Sequence, residues 1–370
     1  MNLTTLAGRP LLKSFITARS EGVPRGIVFT EGQEWSEQRR FALRNLRDFG
    51  FGTKTMEGKV QEEVRVLLEK FQENEGKPIQ VRNVFNAAVV NALWSIMFGE
   101  RLDQEEPEVK DAINRIASTF EESNILANLA MFIPIIGQIS PKLSGYMKMV
   151  EEAIPLNNFM KKQIESHNKH YEEDQPRDFV DAYTDEVKNT TDPKSSFHPK
   201  HNEMLFALLD LFVAGSETTS TTLSWMCAYL IRHPQVQHKL QEEIDQVVGK
   251  ERLPALADRP SMPYTEAVIS EVLRYSSIVP MVMHKASEDL EFHGFFIPKD
   301  TIVLPNFYDA HFDEAAWGDP QNFRPERFLN EDVTFFQTFV ITRSGELPNL
   351  VPHVGFSLSP KPFEMILKRR

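Results

Sequence analysis

Between Met204 and Tyr229 the chain runs almost entirely apolar, and the middle of that run reads LFVAGSETTS, Leu211 to Ser220. The helical pattern extends from His201 to Arg232, about 30 residues and so roughly 45 Å if fully helical. Inside such a helix a glycine costs roughly 1 kcal/mol against alanine, and threonine is stiff at χ1. A buried carboxylate is worse unless it is paired or neutral. Something must offset Gly215, Glu217 and the adjacent Thr218 and Thr219.

The rest of the first two thirds also reads helical. Met56, Val60, Val64, Leu67, Leu68 and Phe71 recur at three- and four-residue spacing, an amphipathic helix. Val81 to Phe98 is apolar nearly all round and stops at Gly99, which predicts a buried helix. Leu156 to His170 is a more polar candidate. Glu172 to Lys200 is charged and rich in Asp, Thr, Pro and Ser, and reads partly as an exposed connection. After His233, Pro234 suits the first position of a helix closing at Gly249, and another follows Pro263 to about Tyr275. Beyond Leu290 the character changes. Phe295, Ile297 and Thr301 to Leu304 form two short β-like runs around a Pro298-Lys299-Asp300 turn signal. The expected class is mainly α with a small β region: residues 1–289 mostly helical, 290–370 β-rich and irregular.

The chain has 370 residues with 41% hydrophobic and 25% charged, a globular balance. A net charge of −12 argues against general nucleic-acid binding. The single cysteine, Cys227, excludes an intramolecular disulfide and any cysteine-only metal centre. No stretch reaches the ~20 apolar residues of a membrane span, and the N-terminus lacks the order of a signal peptide.

Glu271 and Arg274, at i and i+3, share a helix face and can pair. Alone this is a common surface feature. Some fifty residues later, FRPERF places Arg327 between apolar neighbours, where it could give Glu271 a second guanidinium. In EWSEQRR, Trp35 and Arg39 lie four residues apart, and Arg40, Arg44 and Arg47 extend a basic strip that reads as a solvated face or an anion site.

In this order and spacing, AGSETT, Glu271-x-x-Arg274, the PERF segment and the Trp35/Arg39 pair resemble the cytochrome P-450 family over nearly the whole chain. LAGRP, WSEQRRF, AGSETTSTTL, MPYTEAVISEVLR and FIPKDT are similar to its vertebrate microsomal second-family branch. The resemblance implies a single, mostly helical domain and monooxygenation of apolar organic substrates such as fatty acids, steroids or xenobiotics. It implies haem, dioxygen and electrons from an NADPH-dependent flavoprotein reductase, with cytochrome b5 as a further candidate partner. It implies that Thr218 handles dioxygen and Glu217 relays protons, and that Ala214 and Gly215 let the helix pass close over the haem. Trp35, Arg39 and His284 would contact the haem propionates, and Glu271, Arg274 and Arg327 would form a structural ion cluster. Phe212, Ala214, Val279, Met281 and Val282 would line the substrate pocket. The basic strip would dock the reductase, and Met131 to Ile136 would dip into the membrane. The location implied is the cytosolic face of the endoplasmic reticulum.

The sequence departs from the family at two places. The family's iron ligand is a cysteine thiolate in a loop shortly after the PERF segment, yet no cysteine follows Cys227. The loop and its helix look deleted, as if a coding segment had been skipped, so the axial metal ligand is absent. Cys227 lies nine residues after Thr218, which turns it about half a turn away and roughly 13 Å along the axis. The family's membrane anchor and first strands also precede anything matched here, which leaves a cytoplasmic location open. These departures imply a partial domain and an inactive chain. The alternative from another class is a haem-free helical protein that binds a hydrophobic ligand or the reductase.

Overall fold

The computed structural model describes residues 3–76, 81, 84–121, 134–140, 142, 146–201, 203–329, 339–343 and 365–369. They form a mostly helical chain with three small two-stranded sheets. Two compact units are resolved: Leu11–Ser224, and Met1–Pro10 together with Trp225–Arg370.

The first unit is helical. It contains α1 (Lys13–Ser20), α2 (Gly32–Asp48), α3 (Lys54–Glu73), α4 (Asn86–Met97), α5 (Pro107–Glu121), α6 (Pro134–Ile139), α7 (Tyr146–His167) and α8 (Phe179–Asn189). It also holds most of α9 (Glu203–Arg232). Helices α1 and α5 lie against α7, α3 against α4, and α2 and α4 against α8. Trp94 stacks on Phe98 at 4.0 Å between centroids and meets Phe212 edge-on at 5.3 Å. Phe41 gathers Phe179, Tyr183 and Phe197 at 5.1–5.6 Å. One polar chain crosses this core: Tyr183 donates to Gln38 at 2.8 Å, and Gln38 donates to Ser196 at 3.0 Å.

Helix α8 takes up residues 179–189 of the segment 172–200, which reads partly as an exposed connection. Its polar composition hides Phe179, Val180 and Tyr183, all of which are buried. Asp178 caps the helix by accepting from Asp181 N at 3.1 Å. Two helix starts also differ from expectation. Helix α4 begins at Asn86, since an all-round apolar pattern reports burial without marking the first turn. Helix α7 begins ten residues before Leu156 and carries Pro155 inside. Of the proposed membrane-dipping segment, Met131 to Phe132 and Ile133 lie outside the described residues. Among the described residues no helix is long and apolar enough to cross a membrane.

Two buried carboxylates hold the segment before α2 onto α9. Asp210 accepts from the backbone of Ile27 at 2.7 Å and Val28 at 2.9 Å, and pairs with Arg19. Glu203 accepts from Gly26 N at 2.7 Å and from Arg25 at 3.0 Å. Gly26 has φ +83°, and a Cβ there would strike the Asp210 carboxylate and the Phe206 carbonyl, so only glycine fits.

In the second unit, α10 (Pro234–Val247) lies against α11 (Pro263–Ser276), with Tyr229, Val236, Tyr264, Val268, Val272 and Phe323 as the core. Strand β1 (His284–Lys285) pairs antiparallel with β4 (Ile302–Val303), and β2 (Leu290–Phe292) with β3 (Phe295–Ile297). The two β-like runs therefore do not pair with each other. The tight turn lies at His293-Gly294, both with positive φ, as a two-residue hairpin requires. Short helices α12 (Phe307–His311) and α13 (Glu314–Trp317) follow, then a 3₁₀ turn at Pro325–Phe328. Strands β5 (Phe339–Arg343) and β6 (Met365–Arg369) pair antiparallel.

Two outcomes test this packing. Phe179→Ala should cost about 3–5 kcal/mol in urea unfolding, the usual range for emptying a buried phenylalanine site; a change within about 1 kcal/mol would place Phe179 outside the core. Burial, opposed by the Gly26 backbone bond and Arg25, pushes the Glu203 carboxyl up to about 7 from 4.5. The folded state then binds the proton more tightly. Its contribution is present below about 4.5 and is lost as pH rises through about 7. Glu203→Gln should flatten the fall in Tm across that window, and an unchanged difference profile would refute the assignment.

Candidate functional site

Helix α9 runs unbroken through AGSETT. Its hydroxyls bond back to their own helix. Thr218 donates to Ala214 O at 2.8 Å, Ser216 to Phe212 O at 2.6 Å, Ser220 to Ser216 O at 2.7 Å, and Thr222 to Thr218 O at 2.7 Å. Glu217 accepts from Thr221 at 3.1 Å through one carboxylate oxygen, and the other oxygen is buried with no partner. An orphaned carboxylate oxygen beside a threonine hydroxyl can take or give a proton.

The two small residues of AGSETT differ in setting. Ala214 is exposed. Gly215 faces α4, where a Cβ would come within 2.8 Å of Leu93 Cδ2, so the glycine serves a close helix–helix approach. Leu93 was not singled out by sequence, and no local signal marks it. Phe212 is fully buried between Trp94 and Phe159, a core setting. Of the other residues expected around a substrate, Met281 is 49% exposed while Val279 and Val282 are half-buried.

Trp35 and Arg39 lie on α2, with the guanidinium 5.3 Å from the indole centroid. Arg39, Arg40, Arg44 and Arg47 are all exposed, and Arg44 reaches Glu186 at 4.0 Å. These residues belong to the first unit, and His284 to the second. His284 is buried, and its Nδ1 has no partner. Burial and then Arg9 lower its proton affinity, against a smaller opposite effect of the Gly8 and Ala7 backbone. A buried neutral imidazole beside an arginine is a setting that suits an anionic group.

Glu271, Arg274 and Arg327 come together. Arg274 forks onto Glu271 at 2.8 and 2.9 Å, and Arg327 Nε reaches the same carboxylate at 3.2 Å. The backbone N of Arg324 adds a donor at 2.8 Å. The remaining guanidinium donors go mostly to carbonyls: Arg274 to His311 at 2.7 Å and Pro320 at 3.1 Å, Arg327 to Trp317, Asp319 and Asn322 at 2.9–3.0 Å; Arg327 Nη1 also pairs with the Asp319 carboxylate at 3.0 Å. The Trp317 ring lies 5.2 Å from Arg274 and 5.9 Å from Arg327. Sequence pairing foresaw the three charges; the carbonyl collar and Trp317 depend on how residues 311–322 fold and had no signal.

A mainly helical chain with a small β region, a long helix bearing AGSETT and one glutamate shared by two arginines agree with the cytochrome P450 fold. The cytochrome P450 profile matches residues 3–347, and the chain belongs to that family. It is 38% identical over 306 residues to cytochrome P450 2J3 of Rattus norvegicus, covering 82% of this chain and 60% of the relative. With cytochrome P450 2J2 of Homo sapiens the identity is again 38%, over 307 residues, and the shares are the same. With farnesoate epoxidase of Bombyx mori it is 33% over 392 residues, 96% of this chain and 78% of the relative. The chain thus spans about 60% of the length of the two mammalian relatives. In the epoxidase match, 96% of 370 residues is about 355, which leaves about 37 of the 392 positions without a residue of this chain.

The family's cofactor is haem. Within the unit Leu11–Ser224, the Glu217 oxygen without a partner fits the polar surroundings of such a group. The axial donor does not fit. Cys227 is the one cysteine, it is half-buried, and burial pushes its thiol up, away from the thiolate that binds iron. It lies on α9 itself, the helix that carries Thr218.

Glu271→Ala would leave Arg274 buried without a carboxylate and Arg327 with that of Asp319 alone. Urea unfolding should show a loss of about 3–5 kcal/mol, as for other broken buried pairs. A loss under about 1 kcal/mol would mean that the carbonyl collar and Asp319 satisfy both arginines without Glu271.

Proposed function

We propose that these 370 residues carry the oxygen-side half of a cytochrome P450 monooxygenase of the second-family type and do not themselves form its thiolate-ligated haem. The carrying observation is that the one cysteine, Cys227, lies on α9 nine residues beyond Thr218. The roughly 37 unmatched positions in the epoxidase comparison support an internal segment missing relative to that protein. The family activity is hydroxylation or epoxidation of an apolar organic substrate, and the name of the silkworm relative supports epoxidation within that range. The chain would be one partial P450 domain. Glu217 would relay protons and Thr218 would handle dioxygen, while Trp35 and Arg39 would contact a haem carboxylate. The exposed Arg39, Arg40 and Arg47 suit an acidic flavoprotein reductase, and cytochrome b5 and the cytosolic face of the endoplasmic reticulum belong to the same reading.

The test is the absorption spectrum of the purified chain supplied with haem, reduced and exposed to carbon monoxide. The expected spectrum lacks the long-wavelength Soret band of a thiolate–haem–carbonyl complex. Appearance of that band overturns the proposal. Reading the transcript between the codons for Phe328 and Leu347 then distinguishes a chain encoded without the loop from one that lost it only in its written sequence.

A further inference from the structure

The end of α7 and the start of α8 bring together three groups with no part in the haem reading. His167 Nε2 lies 3.1 Å from Asp178 Oδ2 and 3.1 Å from Asp181 Oδ1, and the side chains are 7%, 3% and 0% exposed. A fourth group reaches the same point. Arg177 Nη2 is 3.2 Å from His167 Nε2 and 3.0 Å from Asp181 Oδ1, while its Nε is 2.6 Å from Asp181 Oδ2.

Neither tautomer of His167 satisfies all of these neighbours. With a proton on Nε2, the ring donates to the carboxylates but sets that N–H against the guanidinium. Without it, the lone pair can accept from Arg177 but faces two carboxylate oxygens. A cation at this point resolves the conflict, since a lone pair and two carboxylates are all ligands to it.

We propose that His167, Asp178 and Asp181 form a binding site for a zinc-like divalent cation, with Arg177 as the charged group that the metal displaces. In a tetrahedral site with bonds of about 2.0–2.1 Å, ligand atoms stand about 3.3 Å apart. Two of the three pairs are already at 3.1 Å, and all three atoms lie within 4.8 Å of one another. Asp178 spends Oδ1 on the cap of α8, which leaves Oδ2 for the ion. Gly99 makes room for that oxygen, because a Cβ there would approach it to 3.0 Å. Arg177 is 44% exposed and can turn into water without being stranded. Burial lowers the proton affinity of His167, but Asp178 and then Asp181 outweigh it, and the same carboxylates favour a metal. On α3, Lys59 acts electrostatically on Asp178 and opposes binding. One imidazole with two carboxylates suits zinc or cobalt(II), whereas calcium and magnesium require more oxygen ligands. The site does not depend on whether the chain holds haem.

The test is titration of the untagged chain with Co²⁺ alone, read by visible absorption, followed by displacement with Zn²⁺. One saturable equivalent is expected, lost in His167→Gln and at least about tenfold tighter in Arg177→Ala, where a competing positive charge is gone. Absence of saturable binding in the wild type overturns the proposal, even if Arg177→Ala binds. Undiminished binding in His167→Gln does so too, because it moves the ion to another of the ten histidines. Should His167→Gln fail to fold by circular dichroism, Arg177→Ala decides alone: tighter binding supports the site, and unchanged or weaker binding overturns it.

Discussion

A long helix can be buried with polar residues inside it only if those residues are satisfied without water. Helix α9 meets this condition within itself. Ser216, Thr218, Ser220 and Thr222 donate to carbonyls four residues back, a local bond within reach of these side chains. The hydroxyls are thereby removed from the list of groups that the surrounding helices must satisfy. What remains is the carboxylate of Glu217, with one oxygen satisfied and one not. The first half of α9 carries two more acids, Glu203 and Asp210, which hold the loop at Gly26 through its backbone.

The second buried-charge arrangement follows a different rule. Glu271 has one carboxylate for two guanidinium groups and a backbone N–H. The excess of donors is absorbed by a ring of carbonyls from residues 311–322 and by the Asp319 carboxylate beside Arg327, so each arginine is satisfied on every side. Such a cluster contributes less net stability than its contacts suggest, because desolvating three charges is costly. Its stronger effect is to fix the path of the chain between α11 and the PERF turn.

How far the sequence could be read depended on whether a signal was local. The long apolar run, the i, i+4 stripe of Met56 to Phe71 and the proline-led starts at Pro234 and Pro263 all became helices. Local periodicity is enough where one face must be buried. Helix α8 was obscured, since its few buried residues stand among acids and lysines. The partners of β3 and β4 were also illegible, because strand pairing is set by which turn closes: here it closes at His293-Gly294.

The site divides along the same line. Sequence alone determined the family-bearing residues, the charges of the Glu271 cluster and the single cysteine with its place on α9, because these are facts of identity and spacing along one chain. Only the tertiary structure decided that Gly215 serves contact with Leu93, that Phe212 sits in a core of rings, and that the Thr218 hydroxyl rests on its own helix. It alone brought His167 to Asp178 and Asp181. Those outcomes depend on contacts between residues far apart in the chain or on competition among hydrogen-bond partners, and neither is written in local periodicity.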